Sequence, residues 1–80
     1  NHGAEVDLVI EKYGNIVGAF EIKSQSRIAG AHLSGLRSFR SEHPDVPLHV
    51  VAMVENAYRI EDIRVEPWKT YLQELLVQFL

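Results

Sequence analysis

Two short segments of the chain carry residue types that could hold a divalent cation beside a phosphate. Asp7 interrupts an apolar run between Val6 and Leu8, and Glu21 and Lys23 stand two residues apart in a second apolar run. Mg²⁺ favours one or two carboxylates together with waters and phosphate oxygens. Lys23 would offset part of the negative charge, close to an attacking water or a phosphate. Asp is depleted in strand interiors, so Asp7 calls for an explanation.

A hairpin would bring these side chains together. Residues 5–12 and 16–23 are rich in β-branched and apolar residues, and they flank the turn-forming sequence Tyr13-Gly14-Asn15. With Gly14 at the centre of the turn, Lys12 pairs with Ile16 and Asp7 faces Glu21, while Glu5 faces Lys23. Facing carboxylates repel each other, and a bound cation would relieve that repulsion. The alternative is an ordinary solvated polar face.

The alternation of residues along these strands also predicts their two faces. The predicted core face consists of Val6, Leu8, Ile10, Ile16, Phe20 and Ile22.

The second half predicts helices and strands in alternation. Residues 29–41 are predicted to form a helix that buries Leu33, Leu36 and Phe39. Residues 48–54 form a strand covered on both sides, and residues 58–65 form a short edge strand. Pro67 occupies the first position of a closing helix. The order β-β-α-β-β-α predicts an α/β fold with a mixed sheet, in which the second and third strands are parallel.

The composition sets limits on function. The 80 residues allow one domain, 46% of them are hydrophobic, and the net charge of −3 argues against tight nucleic-acid binding by charge alone. Without cysteine there is no disulfide or thiolate chemistry, and no apolar run is long enough to span a membrane. No signal peptide is visible, so we expect a cytoplasmic protein. Because the chain begins at Asn1, we expect it to be a fragment of a longer one.

Several segments together resemble the PD-(D/E)XK nuclease superfamily. They are GAEVDLVI, EIKSQS, GLRSF and VEPW. The pattern is most similar to the C-terminal domain of unknown function that follows bacterial and archaeal AAA-type ATPases. This resemblance implies one nuclease-like domain over residues 1–80, with the ATPase upstream. It also implies a truncated restriction-endonuclease-like core, because the superfamily usually begins with a further helix. The chain has no phosphate-binding loop of the ATPase kind.

The resemblance also implies roles for individual residues. Asp7 and Glu21 would bind Mg²⁺ or Mn²⁺, with the carbonyl of Ile22 completing the shell and Glu5 as an extra ligand. Lys23 would position water or steady charge, and Ser24 or Gln25 would be auxiliary. The implied activity is metal-assisted hydrolysis of phosphodiesters in DNA. The alternative function is a non-catalytic interaction or regulatory module, which docks or forms a homo-oligomer through its C-terminal helix.

Other polar and aromatic residues have two interpretations each. His2 could be a ligand but is expected to be solvated, and His32, His43 and His49 are expected to be structural. Arginines could contact phosphates, although ordinary solvated charge is the expected role of Arg27, Arg37 and Arg40. Trp68 and Tyr71 lie on an apolar stripe and are expected to be core residues rather than base-stacking platforms.

Overall fold

The computed structural model describes residues 6–70, 73 and 77. Its elements are β1 (Leu8–Lys12), β2 (Asn15–Ile22), a 3₁₀ turn (Gly30–Leu33), α1 (Ser34–Glu42), β3 (Leu48–Ala52), β4 (Tyr58–Ile60) and β5 (Ile63–Pro67). Residues 68–70, 73 and 77 are helical.

The strands form one five-stranded mixed sheet in the order β1-β2-β3-β5-β4. The β1–β2 and β4–β5 pairs are antiparallel, whereas β2–β3 and β3–β5 are parallel. The predicted mixed α/β fold and the parallel pairing of the second and third strands are therefore confirmed. Parallel neighbours need a crossover connection, and the segment that contains α1 provides it.

The predicted single edge strand over residues 58–65 is wrong, because the chain turns back on itself at Glu61 and Asp62. Glu61 adopts a positive φ of 59°, and β4 and β5 pair on either side of the turn. Along the chain, the elements therefore follow in the order β-β-α-β-β-β before the helical residues. Pro67 ends β5 opposite Ala52, so its prediction as a helical residue is also wrong. Proline has no N–H to donate to a neighbouring strand. The pairing of β4 with β5 stops at Val65, so Pro67 lies beyond the part of β5 that pairs with β4.

The first hairpin forms as predicted, but its turn is tighter. Tyr13 and Gly14 have φ values of 54° and 82°, the combination that a type I′ turn requires. Lys12 therefore pairs with Asn15 and not with Ile16. A bulge between Ile10 and Glu11 then shifts the register by one residue, and Leu8 pairs with Phe20. The predicted register is wrong at the turn and correct beyond the bulge.

The main core lies between the sheet and α1. The predicted buried face of the helix, Leu33, Leu36 and Phe39, is confirmed, and these residues pack with Ala19 and Val50 from the sheet. The core also contains Ile28, Leu48, Ala52, Val54, Ile63 and Val65, with Val6 and Ile16 packed against it.

The predicted core face of the hairpin is wrong in part. Ala19, expected on the polar face, is completely buried, while Leu8 and Ile22 are 43% and 63% exposed. The bulge is the physical reason, because an extra residue in β2 reverses the alternation and lets Ile16 share a face with Ala19. Phe20 lies on the opposite face in a smaller cluster with Val51, against which Ile10 packs.

The structure tests the predicted closing helix only at its beginning. Trp68 is 39% exposed, so its prediction as a core residue is wrong. The remaining residues of the predicted apolar stripe, Tyr71, Leu72, Leu75, Leu76 and Phe79, lie outside the described residues. Among the residues that are described, no helix has the length and apolar character needed to span a membrane.

Candidate functional site

The candidate site begins with Glu21 and Lys23 at the carboxyl end of β2. Residues two apart on a strand point to the same face, and here Lys23 Nζ lies 3.7 Å from Glu21 Oε2. Both side chains are largely shielded from solvent. Glu21 pairs with Val50 of β3, and the Lys23 N–H donates to the Val51 carbonyl at 2.9 Å. The parallel neighbour β3 thus fixes the backbone on both sides of this ion pair.

Asp7 approaches the same segment from the other hairpin strand. Its N–H donates to the Phe20 carbonyl at 3.0 Å, and its Oδ2 accepts the Ile22 N–H at 2.7 Å. A hydrogen bond from a backbone N–H to a carboxylate is charge-assisted and stronger than one between neutral groups. The carboxylate therefore holds Val6 and Asp7 against the end of β2, where the β1–β2 ladder has stopped.

The structure brings the predicted residues together in different ways. Glu21 and Lys23 contact each other through their side chains, whereas Asp7 contacts the backbone of the residue between them. Glu5 and His2 lie outside the described residues. Ser24 and Gln25 are exposed, and the Gln25 carbonyl accepts the Met53 N–H at 3.1 Å, so this loop continues along the end of β3.

The donor set suits a hard cation. Asp7 and Glu21 supply carboxylate oxygens and Ile22 a carbonyl, which are the ligand types that Mg²⁺ and Mn²⁺ accept. In the part of the chain that the structure describes, no group of three or more His, Cys, Asp or Glu residues could hold a metal. That finding does not exclude Mg²⁺, which needs only one or two carboxylates when waters and phosphate oxygens complete its shell.

A second polar cluster, on the opposite face of the sheet, is absent from the sequence predictions. Glu66 is only 3% exposed, and its Oε2 lies 3.2 Å from Arg64 Nε and 3.5 Å from His49 Nδ1. The His49 ring stacks on Phe20 at 4.7 Å, in line with its predicted structural role. The signal that could have found the cluster is the alternation of Arg64 and Glu66 with Ile63 and Val65, typical of a strand with two different faces.

The two other described histidines also have structural contacts, as predicted. His32 Nδ1 accepts the Ala29 N–H at 2.9 Å before the 3₁₀ turn, and the His43 ring stacks on Phe39 at the end of α1.

Two of the arginines considered for phosphate contacts are already paired with carboxylates. Arg37 Nη2 lies 2.6 Å from Glu61 Oε2, and Arg40 pairs with Asp62. Arg37 is solvent-exposed, as expected, whereas Arg40 is only partly exposed. Arg27 is exposed, as expected.

The fold defines a small mixed α/β protein with helical cover on one face of its sheet. Residues 1–71 match the model of the family described as "Domain of unknown function (DUF4143)". The chain belongs to this family, whose description assigns no activity. No curated protein and no solved structure was found to match the chain. The resemblance to PD-(D/E)XK nucleases accordingly stays a prediction.

Proposed function

We propose that this protein is a nuclease-like domain whose site at the end of β2 hydrolyses phosphodiesters in DNA with Mg²⁺ or Mn²⁺. One observation carries the proposal: the Glu21–Lys23 ion pair and the Asp7 carboxylate flank the same backbone unit, Ile22. The resemblance to nucleases of the PD-(D/E)XK superfamily supports the same assignment, with a truncated core and an AAA-type ATPase upstream as its further parts.

Each residue of the site has a distinct task in this proposal. Asp7 and Glu21 would hold the cation, with the Ile22 carbonyl as a neutral third ligand. The cation would polarise the scissile phosphate and lower the pKa of a bound water. Lys23 would stabilise the negative charge that accumulates on the phosphate in the transition state. The hydrogen bond from Ile22 N–H to Asp7 keeps the first strand in position before any ligand arrives.

Metal binding is tested by titrating the protein with Mn²⁺ and following the broadening of amide NMR signals. We expect selective broadening around Asp7 and Ile22 at submillimolar Mn²⁺. Glu21→Gln should weaken this broadening at least tenfold, whereas Glu11→Gln, the same change at an exposed position of β1, should leave it intact. Equal broadening in both variants, or broadening centred elsewhere, would contradict the proposed metal site.

Catalysis is tested with a supercoiled plasmid in Mg²⁺ or Mn²⁺. We expect the wild type and Glu11→Gln to nick the plasmid, and Lys23→Gln to lose at least a hundredfold in rate, because one electrostatic donor contributes about that much to stabilising a transition state. Equal nicking by Lys23→Gln would identify a contaminating nuclease and contradict the role of Lys23. Metal binding without nicking would restrict the domain to a vestigial metal site.

A non-catalytic interaction module is the second candidate, and the exposed apolar residues on one face of the hairpin favour it. Leu8 and Ile22 are both exposed on the face opposite α1. The predicted docking residues Leu76 and Phe79, and with them a homo-oligomer through the C-terminal helix, lie outside the described residues. Ile22→Ser should abolish partner binding in this case without changing metal binding, because its carbonyl is retained.

A further inference from the structure

Three basic side chains lie in one row across the face of the sheet opposite α1. Arg59 of β4 pairs directly with Arg64 of β5, and Arg64 pairs with His49 of β3. Side chains at directly opposed positions of an antiparallel pair have Cβ atoms roughly 4.5–5.5 Å apart. Like charges at that distance destabilise a sheet, so the Arg59–Arg64 pair has a cost that a bound anion would remove.

Two of the three acidic residues nearby, Asp62 and Glu66, are paired with arginine side chains, and the third, Asp45, is exposed at the cleft. Asp62 pairs with Arg40, which also donates to the Val46 carbonyl at 3.3 Å. Glu66 is buried, and its Oε2 lies 3.2 Å from Arg64 Nε. Asp45 is exposed in the loop after α1. Among the described residues, Arg59 takes part in no hydrogen bond or ion pair, and it is exposed.

The row of Arg59, Arg64 and His49 lines a cleft. The cleft has a volume of about 470 Å³ and is bounded by the loop after α1 and by the amino ends of β3 and β5. Its basic lining residues are Arg40, His49, Arg59 and Arg64, and its acidic ones are Asp45 and Asp62.

We propose that this cleft binds a phosphate monoester dianion between the guanidinium groups of Arg59 and Arg64. Guanidinium groups match phosphate oxygens with two parallel hydrogen bonds. Glu66 holds Arg64 through Nε, which leaves the two terminal nitrogens of that side chain for a ligand. A terminal phosphate carries a charge of about −1.5 to −2 and three acceptor oxygens, enough for two guanidinium groups, whereas a carboxylate has only two oxygens and can pair in this way with only one.

The proposal does not depend on the hydrolytic function. His49 and Arg64 alternate along their strands with Val50 and Val65, which belong to the core under α1. Glu21 pairs beside Val50 on that core face. The two sites therefore lie on opposite faces of the sheet, and a variant at one removes no ligand of the other.

The test is a titration with inorganic phosphate, followed by amide NMR shifts and by the melting temperature. We expect shifts centred on Arg59 and Arg64 and a rise in melting temperature. Arg59→Gln should weaken binding about tenfold or more, since it removes a charge-assisted pair of hydrogen bonds. Arg27→Gln is the matched control, because Arg27 is also exposed and also takes part in no described hydrogen bond or ion pair. This variant should bind phosphate within twofold of the wild type.

The remaining outcomes decide between ligand sources. Equal weakening in Arg59→Gln and Arg27→Gln would reduce the effect to net charge and overturn the site, as would shifts elsewhere in the chain. A short DNA oligonucleotide without terminal phosphates provides only phosphodiester groups. If it binds as tightly as inorganic phosphate and loses affinity in Arg59→Gln, the site binds a polynucleotide backbone and the monoester assignment is wrong. Arg59→Gln should also melt at a higher temperature than wild type in phosphate-free buffer, because the arginine repulsion is gone.

Discussion

The hairpins β1–β2 and β4–β5 occupy opposite edges of the sheet and reverse direction in different ways. Both turns place a residue other than glycine at positive φ, Tyr13 in the first and Glu61 in the second. The first turn is completed by Gly14, whose backbone accepts that conformation without a side-chain clash. The second turn is held from outside by two arginines of α1, which pair with Glu61 and Asp62. Local backbone preference and tertiary charge pairing thus produce similar hairpins.

Each hairpin pairs an inner strand with an edge strand, and the inner strand β5 of the second is buried far more deeply than the edge strand β1 of the first. β5 lies between β3 and β4 and contributes Ile63 and Val65 to the main core. β1 has a neighbour on one side only, and its Leu8 and Val9 are both exposed. Side chains of the inner strand β5 therefore contribute more to the stability of the domain than those of the edge strand β1.

The largest expected effect follows from this difference in burial. Ile63→Ala removes a side chain that is 1% exposed and should lower the free energy of unfolding by about 2–5 kcal/mol. Leu8→Ala, on the edge strand β1, should lower it by less than about 1 kcal/mol, because the Leu8 side chain is already 43% exposed to solvent. Urea unfolding of both variants measures the two values. Similar losses would contradict the unequal burial of β5 and β1.

The turn of the first hairpin provides a smaller effect. Gly14→Ala should destabilise the protein by about 1–2 kcal/mol, which is the cost of a left-handed conformation for an L-residue. A Cβ at this position would meet no atom within 4 Å, so the cost comes from the backbone alone. Tyr13→Gly relieves the strain of a positive φ at the neighbouring residue, so it should not destabilise the protein by more than about 0.5 kcal/mol. Thermal unfolding that left Gly14→Ala unchanged would argue against the tight turn.

The smallest effect is expected in the turn of the second hairpin. Arg37→Gln removes an exposed ion pair with Glu61 and should lower the free energy of unfolding by about 0.2–1 kcal/mol. The loss should shrink in 1 M salt, because exposed charges are screened. A double-mutant cycle with Glu61→Gln isolates the pair. A coupling energy near zero would mean that the turn does not need its arginine contact.

Much of the first hairpin could be predicted, because residues close together in the sequence specify its strands and its turn. Gly14 and the flanking apolar runs identified two strands and a turn, and alternation placed Glu21 and Lys23 on one face. The bulge could not be predicted, because it depends on how β2 packs against its neighbours. It decided that Ala19 is buried and that Ile22 is exposed. The hydrogen bond from Ile22 to Asp7 likewise requires the chain beyond the ladder to be in place.

The second hairpin could not be predicted from its turn, because Glu-Asp has no intrinsic preference for a reversal comparable to that of Asn-Gly or Asp-Gly. Its stability depends on α1, a distant segment, whose arginines arrive only when the crossover has packed on the sheet. The row of Arg59, Arg64 and His49 is equally invisible along the chain, since it joins three strands.

The sequence by itself determined the buried side of the helical segment, the buried strand β3, the position of the first turn and the placement of Glu21 and Lys23 on one face, because each depends on a repeat or a preference within a few residues. Only the tertiary structure decided which face of the hairpin meets the core, that residues 58–67 form two strands, and which charges meet across them. These features depend on register and packing between distant segments, and no local pattern encodes either.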